Sequence, residues 1–580
     1  MSLHSCEIGE KYFSGAKARV DFVSFMRRLK PPPPSGLSFA IQNVCCFAVI
    51  LSMAANYVYA QTASTPQPAP VYSIAGTVVN TASGEPVRRA TVAVLSEEDQ
   101  QTVASAETDD EGRFSLDGLA AGKYPLTASK RGFLTAYYDQ HEGYNTAIVA
   151  GEGQETNKIV FRLVPGAVLR GVVTGDGGDP VEGAQVMLFL KPHGHNPGAR
   201  ISQAGATKTD DTGAYGFDGL AAGEYLLAVK AEPWFAIHQS IRGAFDSGAA
   251  LDVAYPVTYF DATTNEADAT AIVLIGGRSV EANINLHALP ALHLTVEPVV
   301  KEDGTSLRAE LRQSIFGTEN QDAVVASPLG KQTGRGEFAG VAPGHYELTQ
   351  GDPPRVAEFD VATTNQQIDP NMGSTAVTVS GILQTANGAA MPENPRIFLI
   401  SLDDAHPHAP LETTGSRGKF SFAAVPPGSW GLWAENSGKS LTITSIFAAG
   451  KTHPGNQLTV QDKPIPLVAS VSQSETRVEG FARDVKGKGI AGVMIVLVPK
   501  EPSAFSALVR RDQSDSDGSF SLRDVASGEY TVVAIEKGWE LDWARPEVIS
   551  RYLSQGLTVT VTENSGKMLR LSQPVPVQSR

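Results

Sequence analysis

Cysteine is nearly absent from this chain: of 580 residues only Cys6, Cys45 and Cys46 are cysteines. All three precede residue 61, so the rest has no disulfide framework, no thiolate metal site and no cysteine nucleophile. Basic charge is also short. Lys and Arg total 47 against 62 Asp and Glu, a net charge of −15 at pH 7. That balance argues against nucleic acid, whose binders need a basic face. Catalytic signatures are missing as well. There is no HExxH zinc helix, no G-x-S-x-G elbow and no GxxxxGK[ST] phosphate loop. We therefore expect no enzyme, no cofactor and no metal.

Long apolar runs are missing too, with one exception near the start. Leu37 to Ala55 is mostly apolar, follows Arg27, Arg28 and Lys30, and leads to VYA ending at Ala60. This reads as a secretory signal over residues 1–60, cut before Gln61, with Met26 as a possible true start. An uncleaved anchor helix is the alternative, because the run approaches bilayer length. After cleavage no membrane span is expected. The remaining chain is more acidic still, at −18, which suits an exported soluble surface, whether periplasmic, outer-surface or secreted.

What the sequence does have is repetition. DDEGRFSLDGLAAGKYPL (Asp109 to Leu126) returns as DDTGAYGFDGLAAGEYLL (Asp210 to Leu227). Looser copies are RGEFAGVAPGHYEL, RGKFSFAAVPPGSWGL and DGSFSLRDVASGEYTV. Asp-x-Gly supplies a tight turn, alternating apolar residues supply a strand, and a second glycine starts the next strand. The key positions are Asp109, Gly112, Phe114, Gly122 and Tyr124, then Asp210, Gly213, Tyr215, Gly223 and Tyr225. Gly418, Phe420, Gly428 and Trp430 follow, then Asp517, Gly518, Phe520, Gly528 and Tyr530. The two glycines stand ten apart in four copies and eight apart in the third, and an aromatic always follows the second by two.

An opening phrase recurs ahead of this hairpin. IAGTVVNTASGEPVRRATVAVL, LRGVVTGDGGDPVEGAQVMLFL and VEGFARDVKGKGIAGVMIVLV share it, and VSGILQTANGAAMPENPRIFLI is looser. Short strands at close spacing with Gly, Asp, Asn and Pro turns predict tandem antiparallel β-sandwiches. We place a Pro-rich linker at 61–71 and sandwiches at 72–165, 166–290, 291–372 (degenerate), 373–472 and 473–580. Tails such as YYDQHEGYNTAIVAGEGQETNKIVFRLVPG are read as extra terminal strands of each sandwich.

These motifs resemble the carboxypeptidase regulatory-like domain. The first module carries Gly76, Gly84, Pro86, Val87, Ala90, Thr108, Asp109, Gly112, Phe114, Leu119, Gly122 and Tyr124 at the family's positions. The second carries Gly171, Pro180, Val181, Gly183, Ala184, Thr209, Asp210, Gly213, Tyr215, Leu220, Gly223 and Tyr225. The resemblance implies a transthyretin-like all-β sandwich of Greek-key type, in bacterial exported proteins built from such repeats. It implies nothing firm about function, which must be argued from a site.

Three features carry candidate chemistry. KRGFLTAYY, KAEPWFAIH and EKGWELDWA occupy one equivalent loop in modules one, two and five. They bring Phe133, Tyr137, Tyr138, Trp234, Phe235, Trp539 and Trp543 to a sandwich edge. Such rings can stack on sugar faces, anchor an interface, or plug the open end of the sandwich. The pairs His193/His195 and His406/His408, with Asp403 and Asp404 near the second, read as polar loop tips. DQSDSDG (Asp512 to Gly518) has an incomplete calcium ladder and reads as a hairpin turn.

The expected function is a non-catalytic exported binding or scaffold protein, with a glycan or an envelope or extracellular protein as partner. Carbohydrate binding would use the edge aromatics. The alternative is an accessory cell-envelope component working with an outer-membrane transporter or a metallocarboxypeptidase.

Overall fold

The computed structural model describes residues 70–192, 201–238, 251–297, 299–300, 306–307, 309–319, 324–328, 336–351, 354–362, 366–369, 371–385, 391–403, 408, 410–437, 439–472, 476–562 and 567–580. The expected signal segment, His193, His195, His406 and Asp404 lie outside these residues. Among the described residues, no helix is long and apolar enough to cross a membrane, which says nothing of spans made by strands.

The chain is a tandem array of β-sandwiches. In the first, strand Tyr72–Asn80 pairs antiparallel with Arg113–Leu119. The facing sheet sets Thr91–Leu95 between Thr102–Glu107 and Leu126–Ser129. The same plan recurs in the second, with Ala167–Thr174 against Ala214–Leu220 and Gln185–Leu190 between Ser202–Lys208 and Gly223–Lys230. The fourth and fifth repeat it around Arg396–Ser401 and Met494–Pro499. The opening pattern that is barely readable over Leu292 to Leu311 in sequence is present in the third: Leu292–Val296 pairs with Gly336–Val341, and Glu310–Arg312 with Gly344–Gln350.

One pairing departs from an antiparallel plan. The last strand of each tail runs parallel to its module's first strand: Ile159–Leu163 beside Tyr72–Asn80, and Ile465–Ser472 beside Val377–Thr385. The tails are indeed terminal strands, and they close each module by joining its ends.

Five hydrophobic clusters mark five cores, centred on Phe161, Leu169, Phe338, Trp430 and Tyr530. Alternation drives this: in Arg113–Leu119, Phe114, Leu116 and Leu119 are buried and their neighbours exposed. Each large buried apolar side chain contributes about 2–3 kcal/mol.

The repeated phrase has a physical task. The aromatic that follows the second glycine reaches back over its own turn. Tyr124, Tyr225, Tyr346 and Tyr530 donate their hydroxyls to the carbonyls of Ala120, Ala221, Ala342 and Ala526, at 2.9–3.0 Å. In the fourth module Trp430 donates Nε1–H to Pro426 O at 3.0 Å. Tyr-to-Trp is therefore a conservative exchange here, since both rings are apolar bodies with one donor at the tip. The first glycine is as constrained. Gly213 has φ +74°, and a Cβ there would stand 2.4 Å from Val173 O. The carbonyl of Gly213 accepts from Val173 N, as Gly112 O accepts from Val78 N, locking hairpin to opening strand at 2.8 Å each.

Candidate functional site

The edge aromatics occupy three settings. Phe133 and Tyr138 are half-buried and pack on the first core, Tyr138 against Phe161. Tyr137 is half-buried in the short strand Ala136–Tyr137. Trp234 is 92% exposed and meets half-buried Phe235 edge-on at 5.7 Å. Trp539 is half-buried and Trp543 only 4% exposed; both pack beneath the fifth module's outer sheet with Met494, Val496 and Ile549. The equivalent loops do not form one shared patch.

The tail of the first module covers Trp539. His141 stacks on Trp539 with ring centroids 5.5 Å apart, and Tyr144 tilts against it at 5.4 Å. Arg511 lies over Trp543, 4.2 Å from the ring centroid, and pairs with Glu142 at 2.7 Å. Cation–π contacts of this kind strengthen when desolvated.

The contact is also densely hydrogen-bonded, and much of the fifth module's share comes from the DQSDSDG stretch, which both donates and accepts. Gln513 donates to Thr146 Oγ1 at 2.8 Å, Ser516 N donates to Ala147 O at 3.0 Å, and Val149 N donates to Ser516 Oγ at 2.8 Å. Lys123 meets Asp515 at 2.6 Å. Burial alone would lower the Lys123 ammonium, yet the Asp515 carboxylate holds it above its ordinary value. Asp515 is the fifth module's equivalent of Asp109. Gly518 N donates to its carbonyl just as Gly112 N donates to Asp109 O. Asp517, selected from sequence for that position, instead accepts from Ser519 N at 2.9 Å. The acid stands three residues before its glycine in all three modules (Asp109/Gly112, Asp210/Gly213, Asp515/Gly518), and it is the adjacent Asp517-Gly518 pair that misleads.

A groove of about 620 Å³ opens at this junction, lined among others by Tyr144, Asn145, Arg511, Asp512, Asp515 and Trp543. The Trp543 Nε1–H is buried there without a hydrogen-bond partner. Burial pushes the Asp512 carboxyl up to about 7, although backbone N–H groups of Ser521 and Gln513 pull it down.

A second junction joins modules two and three. Ile315 and Phe316 of the third insert into an apolar cluster with Phe189, Leu226 and Tyr259 of the second. Beside it His293 is held at 2.7 Å by both Asp252 and Glu337. Burial opposes charge on His293, but the two carboxylates outweigh it and raise its pKa. A cavity of about 780 Å³ adjoins this cluster, with Tyr259, Phe316, Glu266 and Arg312 in its wall. None of these junction residues except the fifth-module tryptophans and the DQSDSDG stretch carries a local sequence signal, because each is defined by a partner distant in the chain, 41 and 44 residues for His293 and several hundred for the first and fifth modules.

The first two modules match the carboxypeptidase regulatory-like domain family, over residues 73–164 and 168–242. No curated protein matches the chain in sequence. Among solved structures, the Bacillus anthracis TIE protein is 12% identical with a TM-score of 0.16, covering 69% of this chain and 75% of that one. A streptococcal ancillary pilin is 13% identical with a TM-score of 0.18, covering 52% of this chain and all of the pilin. The shaft pilin SpaA from Lactobacillus rhamnosus GG is 11% identical with a TM-score of 0.20, covering 38% of this chain and 98% of the pilin. At these scores the likenesses carry no argument about what this chain does.

Proposed function

We propose that this protein is a non-catalytic, exported binding scaffold that presents a glycan-binding edge from a body whose modules are locked together. Tandem regulatory-like modules fit such a scaffold, and no catalytic constellation accompanies them among the described residues. The observation that carries the reading is the contrast in aromatic exposure. Two of the three edge tryptophans are spent on internal packing, while Trp234, in the same loop of its module, is left 92% exposed beside Phe235. An exposed indole beside a second ring offers a flat apolar face on which a sugar face can stack. The locked junction between first and fifth modules supports a fixed rather than swinging presentation, which lowers the ordering cost of binding.

The test is a glycan array probed with the full chain and with Trp234→Ala. Binding that the variant loses supports the reading. Equal binding by both, or none by either, overturns the sugar site and leaves a protein partner in the envelope as the ligand class to pursue.

A further inference from the structure

Glu347 and Glu358 stand directly opposite each other on the antiparallel pair Gly344–Gln350 and Arg355–Val361. Like charges in that position repel. Their ion-pair partners among the described residues are histidines, with no Lys or Arg within 4.0 Å. The residue that reaches between them, His408, comes from the next module. Its Nδ1 is 3.7 Å from Glu347 Oε2 and 3.6 Å from Glu358 Oε1. That nitrogen is sealed from solvent and has no hydrogen-bond partner. Its ring is held flat against Trp430, with centroids 5.6 Å apart and planes 12° from parallel. Trp430 is itself fully buried and fixed by its bond to Pro426.

The same molecule shows what a simple charge clamp looks like. His293 sits between Asp252 and Glu337 with both contacts at 2.7 Å. An imidazolium between two carboxylates closes to that distance. His408 stays almost 1 Å farther from both of its glutamates. Ligand atoms around a tetrahedral zinc with bonds of ~2.1 Å stand about 3.4 Å apart. The gap at His408 is close to that size, and the three ligand atoms lie within 4.8 Å of one another.

We propose that Glu347, Glu358 and His408 form a binding site for one divalent transition-metal ion, which joins the third module to the fourth. One imidazole nitrogen and two carboxylate oxygens suit Zn²⁺ better than Ca²⁺ or Mg²⁺, whose shells are built from oxygen. The ion would cancel the repulsion across the strand pair and occupy the buried lone pair of Nδ1. Glu347 and Glu358 also line the 780 Å³ cavity, so a fourth position would face solvent. The site needs neither the glycan edge nor the junction of first and fifth modules.

The test is calorimetric titration of ZnCl₂ into the EDTA-stripped and dialysed full chain, with CaCl₂ in a parallel arm. One Zn²⁺ per chain is expected, with affinity reduced tenfold or more in His408→Ala and in the near-isosteric Glu358→Gln. His345→Ala, beside the site but outside the triad, should keep the wild-type stoichiometry. Far-UV circular dichroism checks that each variant is folded. Visible absorption of the Co²⁺-loaded wild-type chain gives a readout that does not depend on any variant, and a four-coordinate spectrum is expected. No zinc uptake by the wild type, an unchanged affinity in folded Glu358→Gln, or uptake of Ca²⁺ in preference to Zn²⁺ overturns the proposal.

Discussion

The edge loops of the second and fifth modules begin alike and end apart. Both follow the strand that starts at the corner tyrosine, and both carry tryptophan. Trp234 is 92% exposed, whereas Trp543 is 4% exposed beneath Arg511 and against Phe505. The fifth module buries its rings with its own residues, among them Met494, Phe505 and Ile549 around Trp543, and a neighbouring module adds the cover over Trp539. The fifth module receives the tail of the first, with His141 and Tyr144 over Trp539. Residues 239–250, which follow the loop of the second, lie outside the described part. Aromatic content alone therefore does not distinguish a binding edge from a buried joint.

The largest break in this comparison comes from Trp543→Ala. Removing a buried tryptophan is expected to cost about 3–5 kcal/mol, seen as a lower urea midpoint. Next is Lys123→Ala, which leaves Asp515 inside the junction without its cation. We expect about 2 kcal/mol of destabilisation, since the lysine side chain is 30% exposed and part of the full penalty is relieved by water. Limited proteolysis should then cut the first module's tail around His141–Val149, which packs on the fifth module, before the cores unfold, and unchanged protection would show that the pair holds nothing.

A smaller effect follows from pH. His293 has a raised folded-state pKa, so its stabilisation is fully present below its ordinary value of 6.5 and is lost as pH rises through the higher folded value. Asp512, pushed from 3.8 up to about 7, acts in the same direction, because the folded state holds its proton longer than the unfolded chain. Thermal unfolding should therefore shift downward as pH rises from about 4 to 7 through Asp512, and further above 6.5 through His293. His293→Gln should flatten that slope, and an identical slope in the variant would place the titration elsewhere. The smallest expected change is Trp234→Ala, within about 0.5 kcal/mol of wild-type stability. A loss comparable with Trp543→Ala would mean that the ring is a structural plug.

Much of the fold is legible in the sequence because each module solves the same local problem with the same residues. Positive φ at Gly112 and Gly213 selects glycine, and the alternation around Phe114 and Tyr215 sets which face is buried. The third module is hard to read for a stated reason. Its opening strand Leu292–Val296 alternates apolar and polar residues (LHLTV), but the polar His293 is buried between Asp252 and Glu337, so burial does not follow the alternation. Asp515 shows a different limit. A turn acid and an interface acid look identical until Lys123, 392 residues away, is brought beside it.

By itself the sequence determined the all-β class, the repeated hairpin and the corner aromatic, because turns, alternation and a donor four residues from its acceptor are short-range properties. Tertiary structure alone decided that DQSDSDG docks on the first module, that Trp539 and Trp543 face inward while Trp234 faces out, and that His408 points between Glu347 and Glu358. Those outcomes depend on surfaces supplied by distant parts of the chain, and burial and charge pairing are settled only when those surfaces meet.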